Sequence, residues 1–141
     1  MEVAISLGSN LGNRLRNLQS ACRRIASLRD TAMVARSAVY KTEPVGVDRK
    51  YSKLPFLNAV VVIETSLLPR ALIRETRRIE KSLGRPAKRR KNLPRTIDLD
   101  IIYAGKEIVR EKDLVIPHPR WAKRKFVVKP LSDVRPHLVL P

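Results

Sequence analysis

Pro94-Arg95-Thr96-Ile97-Asp98-Leu99-Asp100-Ile101-Ile102-Tyr103 is an apolar strand interrupted twice by carboxylates. Residues two apart in a strand project from one face, so Asp98 and Asp100 share a side while Ile97, Leu99 and Ile101 share the other. Aspartate is depleted from strands, and two like charges this close repel, so neither is desolvated cheaply without a cation beside it. One reading is a hard divalent cation such as Mg²⁺, which takes one or two carboxylates and completes its shell with water and substrate phosphate. The other is a solvated sheet face whose aspartates pair with Lys or Arg. Residues 85–95, from Arg85 to Arg95, bear on the choice: they are strongly basic and bracketed by Pro86 and Pro94. Guanidinium groups that hold phosphates beside carboxylates that hold Mg²⁺ make the layout of a polyphosphate site. Two more residues carry weaker signals. His118, held between Pro117 and Pro119, is expected to be extended and exposed. Glu80 lies near the C-terminal end of a helix, where a carboxylate opposes the dipole; it is either a surface ion pair or has a task outside the helix.

The rest of the chain must place these groups. Val3–Leu7 reads as a strand ending in a Gly8-Ser9-Asn10-Leu11-Gly12 turn. Leu15, Leu18, Cys22, Ile25 and Leu28 then recur at helical spacing, with Asn10 or Asn13 available as a cap. The glycines lack the residues of a Walker loop or a dinucleotide fingerprint, so they read as a tight strand-to-helix turn. Thr31–Thr42 looks like a second strand. Phe56–Ile63, continuous and β-branched, is the candidate for a central strand. A second helix is expected from Ser66, with Pro69 in its first turn and Gly84 just past its end. After Gly105 come Glu107-Ile108-Val109 and Leu114-Val115-Ile116, a short basic stretch from Trp121, an apolar run Phe126–Leu131, and a terminal coil with one more turn from Asp133 to Pro141.

The chain has 141 residues, 43% hydrophobic and only 4% aromatic, enough for one domain whose core is built from aliphatic side chains. Thirty Lys and Arg against thirteen Asp and Glu give a net charge of +17 and a pI near 11.1, a field that attracts nucleic acid, anionic membrane or nucleotide phosphates alike. No apolar run approaches the roughly 18–20 residues of a membrane helix and no signal-peptide pattern is present, so a cytoplasmic protein without membrane association is expected. The single Cys22 excludes an intrachain disulfide and reads as a small buried hydrophobe.

Strand, helix, strand, strand, helix, strand is the split βαβ, ferredoxin-like order: an α+β domain with helices packed on an antiparallel sheet, here with a C-terminal extension. A basic RNA-binding module of this topology is the alternative function. Such modules stack bases on aromatics of adjacent central strands, and no such motif occurs here, so nucleic acid is the disfavoured partner.

Along nearly its whole length the chain resembles the 6-hydroxymethyl-7,8-dihydropterin pyrophosphokinase family. The resemblance lies in Gly8-Ser9-Asn10, Tyr40 with Thr42 and Pro44-Val45-Gly46, Phe56-Leu57-Asn58, Ile79-Glu80 with Gly84-Arg85, Pro94 to Ile101, Pro117-His118-Pro119-Arg120, and Arg124 with Phe126-Val127. It implies one domain over 1–141, expected to be a monomer, that moves the β,γ-pyrophosphoryl group of ATP to the hydroxymethyl of a reduced pterin in folate biosynthesis. Asp98 and Asp100 would bind two Mg²⁺ ions, and Arg85 and Arg95 would hold the triphosphate, making these four the catalytic set. Glu80, Ile101, His118 and Arg124 would lie at the nucleotide. Phe56 and Phe126, the only two phenylalanines, would sandwich the pterin, with Asn58, Thr42 and the Val45 backbone bonding its edge. The family's loop tryptophan has no counterpart at Asn92 or Leu93.

Overall fold

A computed structural model describes residues 1–43, 55–84 and 96–141. The strands β1 (Glu2–Ser9), β2 (Thr31–Arg36), β3 (Tyr40–Thr42), β4 (Phe56–Thr65) and β5 (Asp98–Ala104) form one antiparallel sheet in the order β2-β4-β1-β5, with β3 also pairing with β4. The helices α1 (Arg14–Ala26) and α2 (Pro69–Ser82) connect them in the split βαβ manner. A hairpin of β6 (Val109–Glu111) and β7 (Leu114–Ile116) follows, then a third helix, α3 (Lys125–Val134).

The sheet is buried on both sides, and its two faces belong to different helices. Val3, Ile5, Leu7, Val61, Ile63, Leu99 and Ile101 face α1 and α2, which bury Leu18, Ala21, Cys22, Ile25, Leu72 and Ile79 against them. Ala4, Val60, Val62, Ile102 and Tyr103 face α3, which lays down Val127 and Leu131. A register shift against Ala4 and Ile5 explains how consecutive Ile102 and Tyr103 both reach the α3 side: β5 carries one extra residue there.

Local chemistry sets the helix ends. Asn13, not Asn10, caps α1, its side chain accepting from the Arg16 N–H at 3.1 Å, while Asn10 is buried. α2 starts at Pro69 rather than Ser66, because proline at the first helical position gives up an N–H that would have no helical partner. Gly84 follows the Leu83 C-cap at φ +100°, a conformation that costs a residue with a side chain much more.

One expectation differs, and one unassigned run takes its form. The stretch 31–42 is two strands, β2 and β3, separated at residues 37–39. The Phe126–Leu131 run is part of a helix despite Pro130, because Val127, Pro130 and Leu131, spaced by three and one, all bury on the sheet. α3 is tied further by Asp133, which accepts from the Tyr40 hydroxyl at 2.8 Å and the Ala38 N–H at 3.2 Å. Arg135 just beyond it donates to Glu2 at 2.6 Å, and the Tyr103 hydroxyl donates to the same carboxylate at 2.6 Å. Since α3 is short, packing rather than propensity holds it. Leu131→Ala should therefore lower unfolding free energy by about 2–5 kcal/mol in urea denaturation, with α3 losing amide protection before the β1–β4 pair.

Candidate functional site

Opposed residues of an antiparallel pair share a face, so the register writes out the α3 side of the sheet row by row. One row runs Tyr40, Asn58, Gly8, Asp98; the next holds Val60, Ser6 and Asp100; at the other end Thr42 opposes Phe56. Asp98, Asp100, Asn58, Phe56 and Thr42 thus lie on one face, beyond the end of the apolar patch that α3 covers. Asp98, Asp100 and Phe56 are half-buried, and Asn58 is 3% exposed. The Asn58 amide donates to the Thr42 hydroxyl, which fixes the amide plane and directs its carbonyl oxygen toward β1.

Gly8 is a strand residue, not the turn residue its Gly-Ser-Asn surroundings predict. A Cβ there would stand 3.0 Å from Asn58 Oδ1 and 3.5 Å from Phe56 Cδ1, so the absent side chain is what admits both groups over β1.

Glu80 is not a surface ion pair. It is 3% exposed and its Oε2 accepts from the Leu99 N–H at 2.9 Å. Among the described residues β5 pairs only with β1 in the sheet, so this carboxylate from α2 serves the residue between the two aspartates. Its position against the helix dipole is explained by that bond.

His118 is half-buried rather than exposed, with its N–H donating to the Ile102 carbonyl at 2.8 Å. Burial pushes its imidazole down to about 4, helped by Arg124 and Arg120, while nearby Asp98 acts the other way. The ring is neutral at pH 7. Its Nδ1 accepts from the Arg120 N–H at 3.1 Å, so the proton of the neutral ring resides on Nε2 and makes that nitrogen a donor. The Arg124 guanidinium lies 5.5 Å from the centroid of the Phe126 ring, a cation–π contact at the start of α3. Phe126 itself is half-buried against the α3-side core.

The structure therefore brings Asp98, Asp100, Phe56, Asn58 and Thr42 to one face and seats His118, Arg124 and Phe126 along its α3 border. Ile101 does not join them through its side chain, which is buried under α1 and α2 and leaves only main chain for a ligand. Arg85, Arg95 and Val45 lie outside the described residues. Gly8 and Arg120 are additions: Gly8 shows itself only through cross-strand register, and Arg120 only through the fold of the 117–120 segment.

Two carboxylates, without a third His, Cys, Asp or Glu grouped with them among the described residues, suit a hard, water-rich cation such as Mg²⁺ better than Zn²⁺, which is usually held by three or four protein ligands. Among the described residues no helix is long and apolar enough to cross a membrane.

Fold and site together define an α+β protein of the ferredoxin-like class whose polar site lies on the sheet face away from its two crossover helices. The chain belongs to the 7,8-dihydro-6-hydroxymethylpterin-pyrophosphokinase (HPPK) family, whose model matches residues 4–136. It is 41% identical over 137 residues to the 2-amino-4-hydroxy-6-hydroxymethyldihydropteridine pyrophosphokinase of Haemophilus influenzae, covering 97% of this chain and 83% of that protein. It is 42% identical over 139 residues to the folic acid synthesis protein fol1 of Pneumocystis carinii, where it covers 99% of this chain but spans only 18% of the fungal protein. A crystal structure of an HPPK-DHPS in complex with substrates shares the fold at a TM-score of 0.70 and 13% identity, covering 96% of this chain and 40% of that one.

Gly8→Ala should destabilise the fold by about 1–3 kcal/mol in urea, because Asn58 must leave its Thr42 bond to relieve the contact. For His118 the sign follows from its lowered value. Between about 6.5 and about 4 the unfolded chain binds a proton that the folded chain refuses, so the ring's contribution is complete above pH 6.5 and lost as pH falls toward 4. In chelator-treated protein, His118→Gln should flatten stability against pH across that window, and the wild-type ring should titrate near pH 4 by NMR.

Proposed function

We propose that this chain is a pyrophosphokinase of folate biosynthesis, one domain over 1–141 that acts as a cytoplasmic monomer. It transfers the β,γ-pyrophosphoryl group of ATP to 6-hydroxymethyl-7,8-dihydropterin, giving AMP and the pterin diphosphate. The observation that carries the reading is the common face of the Asp98–Asp100 pair with Phe56 and Asn58, a carboxylate pair beside a seat for a flat ring. Family membership supports it, and the basic RNA-binding alternative has nothing comparable in its favour.

The pterin hydroxyl oxygen attacks the β-phosphorus, the bond from that phosphorus to the α,β-bridging oxygen breaks, and AMP leaves with the bridging oxygen while the hydroxyl proton is released. Each residue's task follows from its chemistry. Phe56 and Phe126 offer π faces above and below a heteroaromatic ring, and Asn58, Thr42 and the Val45 backbone bond its rim, so the hydroxymethyl is held in one orientation. Neutral His118 donates from Nε2 to a phosphate oxygen without the cost of desolvating an imidazolium. Arg85, Arg95 and Arg124 balance charge on the triphosphate with guanidinium groups that stay protonated throughout. Glu80 keeps the Leu99 main chain in place so that the flanking aspartates remain on one face, and the nucleotide contacts Ile101 by main chain.

Asp98 and Asp100 would hold two Mg²⁺ ions, which when bound neutralise the oxygens on which charge gathers.

The direct test is AMP formation from ATP with and without the reduced hydroxymethylpterin. AMP that depends on pterin supports pyrophosphoryl transfer; ADP, or release indifferent to pterin, overturns it. Asp98→Asn and Asp100→Asn should each lower kcat/KM by about 100-fold or more, equivalent to roughly 3 kcal/mol, with the thermal unfolding curve retained.

A further inference from the structure

The catalytic reading leaves most of the +17 charge without a task, and part of that excess is gathered far from Asp98. α1 contains four arginines and no acid, and along its C-terminal half it borders α2 across a cavity of about 470 Å³. That size falls in the range of small-molecule sites. The polar walls carry Ser20, Arg23, Arg24 and Ser27 from the α1 side and Glu75 and Arg78 from α2; Leu28, Ile79 and Leu83 supply apolar surface. These three belong to, or pack on, the core beneath α1 and α2, so the cavity and the Asp98–Asp100 face lie on opposite sides of the sheet.

The charge of the walls is unbalanced. Glu75 engages Arg78 at 3.1 Å, one turn along the same helix. Among the described residues no carboxylate lies within ion-pair distance of Arg23 or Arg24, and Arg23 donates only to the Ser20 hydroxyl, at 3.2 Å. Three guanidinium groups against one carboxylate leave an excess of two positive charges, which a phosphate monoester near −2 would match. Planar guanidinium forks bind phosphate oxygens in pairs, and the Ser20 hydroxyl, which accepts from Arg23, adds its own proton as a donor, whereas Ser27 spends its proton on the Arg23 carbonyl at 2.8 Å. Inorganic phosphate alone would leave the aliphatic surface wet; a ligand with an apolar or aromatic body would cover it.

We infer that the α1–α2 groove is a second anion site, one that takes a phosphate monoester on Arg23, Arg24 and Arg78 with the ligand's apolar or aromatic body on Leu28, Ile79 and Leu83. The site depends on the two helices alone and is independent of the reaction proposed for the opposite face. A free nucleotide and the terminal phosphate of an oligonucleotide present the same chemistry, and a groove of about 470 Å³ has room for one small molecule beside its three arginines, which favours the free molecule.

Backbone amide NMR of the full chain, titrated with AMP, tests this. AMP should cause saturable shifts in residues 20–28 and 75–83, besides any near Asn58 and His118. The double substitution Arg23→Gln with Arg24→Gln, both on the exposed side of α1, should weaken the first set at least tenfold while leaving the second set and pterin-dependent AMP formation unchanged. Inorganic phosphate should bind the groove more weakly than AMP, and a 5′-phosphorylated dinucleotide no better than AMP. Shifts confined to the Asp98 side, groove shifts that survive the double substitution, or equal shifts from unphosphorylated adenosine overturn the site. Equal affinity for inorganic phosphate and AMP overturns the role given to the apolar wall, and tighter binding of the dinucleotide overturns the free ligand.

Discussion

The register of β1 between β4 and β5 is the constraint on which the site depends. Gly8 stands opposite Asn58 on one side and Asp98 on the other, and this single alignment decides which residues meet on the α3 face. Because strand side chains alternate with period two, a slip of one residue would turn Asp98 and Asp100 into the aliphatic core and bring Leu99 out. The penalty for burying two carboxylates among Leu7, Ile25 and Leu72 makes the alternative inaccessible. Specificity of pairing and placement of the acidic pair are thus one fact. Glu80 reinforces it from the open edge of β5 by occupying the Leu99 N–H.

The division of labour between faces follows from the same alternation. α1 and α2 need an uninterrupted aliphatic surface, and they have one along Val3, Ile5, Leu7, Val61 and Ile63. α3 covers only part of the opposite face. Where its apolar contacts with Ala4, Val60 and Val62 stop, polar residues can occupy the sheet face without undermining the core. Neutral His118 and the Arg124–Phe126 contact stand at that border, so cationic and aromatic groups line the place where a charged ligand and a flat one would meet.

Much of this was legible because periodicity exposes it. Asp98 and Asp100 announced themselves by interrupting an otherwise apolar strand, and the split βαβ order followed from alternating two-residue and helical spacings. Asn58 and Thr42 have no such signature; only the family resemblance singled them out, and their bond depends on a pairing of β3 with β4 that no local pattern encodes. Gly8 was misread because glycine beside serine and asparagine has turn composition, whereas cross-strand crowding decides its place. The apolar run at 126–131 carries no assignment in the sequence for a related reason: its helix, with Pro130 inside it, is held by burial on strands far away in the chain. Glu80 and His118 show the same limit, since burial of a polar side chain is a tertiary property.

The sheet order has a consequence for how the molecule assembles. β1 is the first strand in the chain, yet its partners are β4 and β5, so neither of its edges can be satisfied by a neighbour in sequence. Pairings across such long loops are entropically costly until many contacts form together, so β1 is secured only once β4 and β5 are both available. On a ribosome the N-terminal strand, with Val3, Ile5 and Leu7 uncovered, would wait with open backbone groups until most of the chain had emerged, so the nascent stage exposes it to aggregation.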